Sequence, residues 1–89
     1  VPIWAQFVMG KDFPAAKYRD IVKVAKLLDF YFCRQAKGSH EIWRRDKDGR
    51  QTTIPKHGAK DIKRRTIKAI LEDFQISGEE FIKLKNKQR

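Results

Sequence analysis

"DFYFCRQAKGSHEIWRRDKDGRQTTIP" spans Asp29–Pro55, and two glycine turns cut it into three runs of strand-forming residues. The first run, "DFYFCRQ", is dense in aromatics and reads as a strand. Lys37, Gly38 and Ser39 then form a turn. The second run, "HEIWRRD", alternates, so His40, Ile42 and Arg44 share one face and Glu41, Trp43 and Arg45 the other. "DKDG" signals a hairpin in which Gly49 suits a positive φ. The third run, "RQTTI", is rich in β-branched residues and stops at Pro55. Thr52 and Thr53 blur its alternation, which leaves open the face that meets the rest of the chain.

The flanks change period. Tyr18, Ile21, Val22, Ala25 and Leu28 recur at helical spacing, with charged residues between them and Pro14 just ahead. After "PKHGAK" the helical period returns with Ile62, Ile67, Ile70, Leu71 and Phe74. A last short helix is signalled by "SGEEF", where Ser77 caps and Glu80 completes a capping box. Three strands expose a wide apolar face, and the two longer helices are the cover for it. The expected fold is α+β, with a three-stranded antiparallel sheet packed by two helices plus a short C-terminal helix. The expected domain is 17–89. Residues 1–16, apolar without a clear period and broken by Gly and Pro, read as a flexible N-terminal extension.

Eighty-nine residues support one modest core, and six Phe, two Trp and two Tyr supply bulk for it. No apolar run approaches the ~20 residues needed to span a bilayer, so no membrane role is expected. "VPIWAQFVMG" lacks the basic and apolar regions of a signal peptide, which points to a cytoplasmic location. A single cysteine, Cys33, forms no internal disulfide and leaves a Cys/His zinc site short of ligands. It reads as a small buried hydrophobe. No cofactor and no metal site are expected.

The net charge is +10, unevenly spread. Residues 37–68 hold eleven Lys/Arg against four acids, whereas residues 69–89 hold four of each. A field concentrated in the middle third attracts nucleic acid or an acidic protein. Two histidines lie inside that third. His40 begins a strand directly after a glycine turn, which places its imidazole at a sheet end near solvent. Such a group can move a proton near neutral pH. Lys37, Arg44 and Arg45 are candidates to hold a phosphate beside it. RNA cleavage uses that arrangement: a base takes the 2′-hydroxyl proton, the oxygen attacks phosphorus, and cations stabilise the developing charge. Taken alone, a lone histidine in this place reads first as an ordinary surface residue.

His57, in "IPKHGAK", is either a proton-transfer or phosphate-binding assistant or a loop residue that orders its turn. Lys56, Lys60, Lys63, Arg64, Arg65 and Lys68 surround the start of the following helix, where backbone N–H groups also attract phosphate. Trp43 and Tyr31 could stack on bases, but alternation makes them half-buried sheet residues first.

Taken together, the aromatic strand, "KGSH", the "DG" hairpin, "IPKHGAKDI", "TIKAIL" and "ISGEEF" resemble a HicA-type toxin over roughly Tyr18 to Leu84. The resemblance implies a double-stranded-RNA-binding-like α-β-β-β-α fold and a metal-independent endoribonuclease that cleaves mRNA and halts translation. It implies that His40, in Gly38-Ser39-His40, is the catalytic residue, that Pro55 and His57 match a Pro-x-His loop, and that a HicB-type antitoxin protein covers the active surface. Two positions depart from the family pattern. Arg64-Arg65-Thr66 stands where Lys-Gly-Thr is expected, which would continue the helix back to about Lys60. Leu28-Asp29-Phe30 replaces Leu-Gly-Phe. Two other functions share these features: a non-catalytic RNA-binding module of the same fold, and an inactive interaction protein. The retained histidine favours the nuclease, because a pure binder needs the cations and not that imidazole.

Overall fold

The computed structural model describes residues 14–87. The elements run α1 (Tyr18–Leu27), β1 (Tyr31–Gln35), β2 (His40–Arg45), β3 (Arg50–Pro55), α2 (Arg64–Phe74) and α3 (Gly78–Lys85). The strands form one antiparallel sheet in the order β1-β2-β3. This is the expected α+β architecture, consistent with a double-stranded-RNA-binding-like fold. Most of the extension expected at residues 1–16 lies outside the described residues. Its last residue, Ala16, is buried in the core.

β2 and β3 pair without interruption from His40 opposite Pro55 to Arg45 opposite Arg50. Alternation then settles the faces. Trp43 and Ile54 join Ile21, Val24 and Ala25 of α1 and Ile67, Ile70, Leu71 and Phe74 of α2 in one core. Phe81 ties α3 into it, and Phe30 meets Phe74 with ring centroids 5.0 Å apart. Truncating such a buried aromatic typically costs about 3–5 kcal/mol.

Polar groups on the core-facing side are matched. Glu41, 5 % exposed, accepts from the Tyr18 hydroxyl at 2.8 Å and from Trp43 Nε1 at 3.0 Å. Burial, then the bond to Glu41, push the Tyr18 hydroxyl up to about 12. Arg45, 8 % exposed, lies 4.7 Å over the Phe30 ring, donates to the Leu28 carbonyl at 2.9 Å and pairs with Asp48. That guanidinium holds the Asp48 carboxyl below its ordinary range.

Helix ends show where local sequence and tertiary context part. α1 closes on Asp29 at φ 71°, with Phe30 N–H bonded to Ala25 O and Asp29 N–H to Lys26 O. This is the left-handed termination that glycine serves best, here adopted by aspartate. Of the capping box expected at α3, the Ser77 half forms: its hydroxyl accepts Glu80 N–H at 3.0 Å. The helix expected back to Lys60 begins instead at Arg64. Residues ahead of it are held extended, because Ile62 N–H donates to Ala16 O at 2.9 Å and Lys17 bridges to Asp61. Ile62 is core, as its apolar character suggested, but not helical.

Strand β1 departs from expectation too. All five of its residues are exposed, with Tyr31 at 43 % and Cys33 outside the core. Cys33 occupies a bulge between Phe32 and Arg34, and β1 is an edge strand beyond the helices' cover. The expected burial of Cys33 and half-burial of Tyr31 therefore fail.

Two outcomes follow. Asp29→Gly relieves the left-handed residue and should raise stability by about 0.5–1 kcal/mol, read as a higher denaturation midpoint. Tyr18 keeps its proton in the folded state above the pH at which the unfolded chain loses it. Stability present below pH ~10 should therefore fall as pH rises toward 12. Denaturation from pH 9 to 12 should show that slope for the wild type and a shallower one for Tyr18→Phe.

Candidate functional site

Gly38 sits at φ 66° in the turn between β1 and β2, a conformation that any side chain would strain. Ala36 N–H donates to His40 O at 2.8 Å, and Gln35 Nε2 bonds both Gly38 O and His40 O. On the far side, Lys56 N–H donates to Ser39 O at 2.9 Å. The backbone around His40 is thus held from both neighbouring strands while its side chain stays exposed.

α2 runs antiparallel to β3 along the sheet edge. Near its C-terminus Asp73 Oδ2 accepts from Thr52 Oγ1 at 2.8 Å, near the start of β3. Between β3 and α2 lies an open groove of about 560 Å³. His40, Pro55 and His57 line it, with Lys63 and Arg65 from the start of α2 and Asp73 from its far end. Two residues read separately in the sequence, in a turn-strand junction and in a loop, therefore share one groove.

The extended bridge at residues 16–17 and 61–62 makes this possible. It anchors the chain between His57 and α2, so Lys63 and Arg65 face the groove. The start of α2 is unusual for a helix. It has no side-chain cap and no acid in its first turn, where α3 has Ser77, Glu79 and Glu80. Cations at the positive end of a helix dipole are unfavourable unless an anion sits there.

The expected phosphate-holding residues are dispersed. Arg44 shares the open sheet face with His40 and is engaged by Asp46 at 3.2 Å. Lys37, Lys56 and Lys60 are exposed in the flanking loops and do not line the groove. Arg45 points to the helices and is held by Asp48 and Leu28 O, on the face opposite His40. The groove's own cations, Lys63 and Arg65, were legible only as members of a basic run. Asp73 carried no signal in the sequence at all.

Among the described residues no group of three or more His, Cys, Asp and Glu could hold a metal ion, and no helix is long and apolar enough to cross a membrane. Comparison with curated proteins found no significant match. A family model described as the HicA toxin of bacterial toxin-antitoxin systems matches residues 18–76. That segment carries all three strands, α1, α2 and both groove histidines, about two-thirds of the chain. The chain belongs to the HicA family of toxins, whose membership implies an antitoxin partner.

Proposed function

We propose that this toxin is a metal-independent endoribonuclease that cleaves mRNA in the groove between β3 and α2, acts in the cytoplasm, and is neutralised by a HicB-type antitoxin protein. The observation that carries the reading is the meeting of His40 and His57 in one groove with Lys63 and Arg65. Family membership supports a toxin, and the basic middle third supports RNA as its target.

The chemistry needs little else. One imidazole takes the proton from a ribose 2′-hydroxyl, and that oxygen attacks the adjacent phosphorus. The P–O5′ bond breaks, leaving a 2′,3′-cyclic phosphate on one fragment. The other imidazole delivers a proton to the departing 5′ oxygen. Lys63, Arg65 and the uncapped N–H groups of α2 stabilise the negative charge that grows on the phosphoryl oxygens. His40 is the catalytic residue of this scheme and His57 its assistant. Lys37, Gly38 and Ser39 shape the turn, while Lys37, Arg44, Lys56 and Lys60 extend the basic surface along which RNA lies. Arg45, held in the core-facing layer, is left out of that surface. The domain so assigned spans residues 17–89.

The test is cleavage of single-stranded RNA in EDTA by the wild type, His40→Ala and His57→Ala. His40→Ala should lose ~100- to 10,000-fold in rate, the range of a lost general acid or base, while still binding RNA. Equal cutting by wild type and His40→Ala sinks the assignment. Binding without cutting by the wild type leaves an RNA-binding module instead. Lys63→Ala and Arg65→Ala should each weaken binding and lower the slope of log K against log salt by about 0.7, the value for one phosphate contact on a single strand.

A further inference from the structure

The groove carries opposite charge at its two ends. Lys63 and Arg65 stand near His57 at one end, and Asp73 stands two turns along α2 at the other, ~12 Å from Arg65 by helix rise. The sheet gives the same polarity. His40 is opposite Pro55, while Asp73 is tied to Thr52, three residues back along β3 and so ~10 Å away by strand rise. That separation is on the order of the reach from a phosphate to the base edge of its nucleotide.

An ionised carboxylate accepts hydrogen bonds and donates none. In a groove that receives a polyanion it suits a donor-bearing base edge better than a phosphate, although Arg50, whose guanidinium donates to the Asp73 main-chain carbonyl at 3.4 Å, offsets part of its charge. Asp73 Oδ2 already accepts from Thr52, and among the described residues no hydrogen bond reaches Oδ1. Thr53, Thr66, Ala69 and Ile70 line the groove between the two charged ends. Ala69 is small and exposed, which leaves space for a ring.

We propose that Asp73 is a specificity-determining residue that reads guanine beside the scissile phosphate, through its N1–H and N2 amino group. Guanine alone among the four bases offers two adjacent donors on its Watson–Crick edge. Adenine and cytosine place an acceptor next to their amine, and uracil flanks its single donor with two carbonyls that the carboxylate repels. This assignment rests on the reading of the groove as an RNA site.

The experiment measures binding of short single-stranded RNAs to the His40→Ala protein, so that it stands whether or not RNA is cut. Oligonucleotides in an otherwise constant sequence carry guanosine, inosine, adenosine or uridine at one position. Guanosine should bind about tenfold more tightly than uridine, and inosine, which lacks the amino group, should fall between them. Adding Asp73→Asn should abolish or reverse the order: with its oxygen still on Thr52, the amide turns a donor toward the groove. Thr52→Val removes the tie without removing the carboxylate, so it should lower stability and keep the guanosine preference. An unchanged preference in Asp73→Asn, or no preference in the parent, overturns the proposal. RNA that binds with the guanosine preference but is never cut by the wild type overturns the nuclease reading and leaves this one standing.

Discussion

Six consecutive residue pairs join β2 to β3, and their register separates the residues of the groove from those of the core. Because side chains alternate, a slip of one residue would send Trp43 and Ile54 into solvent and His40 toward the helices. The burial of Trp43 between the sheet and α1 and the matched bonds of Glu41 oppose that slip. The same register that makes the core therefore presents His40 on the other side of the strand.

The second constraint is the extended bridge that ties the start of α1 to the segment before α2. It overrides the local tendency of residues 60–63 to join the helix, and it delays the helix start to Arg64. That delay leaves the loop after β3 room to bring His57 to the groove that His40 also lines. It also puts Lys63 and Arg65 at the uncapped end of α2, where, on the proposed reading, they favour a bound phosphate.

Charge in this chain divides by role once partners are seen. Arg45 and Arg50 are drawn to Asp48, and Lys17 to Asp61, whose carboxyl it holds below its ordinary range. Lys63 and Arg65 line a groove with a single carboxylate at its far end. A count of basic residues gives all of these the same weight, although the first group serves the fold and the second faces the groove.

Element types and order were readable from periodicity, because the change from helical to strand-like spacing after Leu28, and back to helical after Pro55, reflects burial on one face of each element. His40 was readable as well, since a glycine turn followed by a strand leaves few places for the imidazole except the sheet end. The exposure of Cys33, the extended course before Arg64 and the inward side of Arg45 were not readable. Each depends on contacts with residues distant in the chain, or on a bulge that breaks alternation. The same holds for the shared groove of His40 and His57. Local patterns report which face of an element is apolar. Only the packing of α2 along the edge of β3 brings a turn, a loop and a helix end to one place, because those residues are joined through space and not through any spacing along the chain.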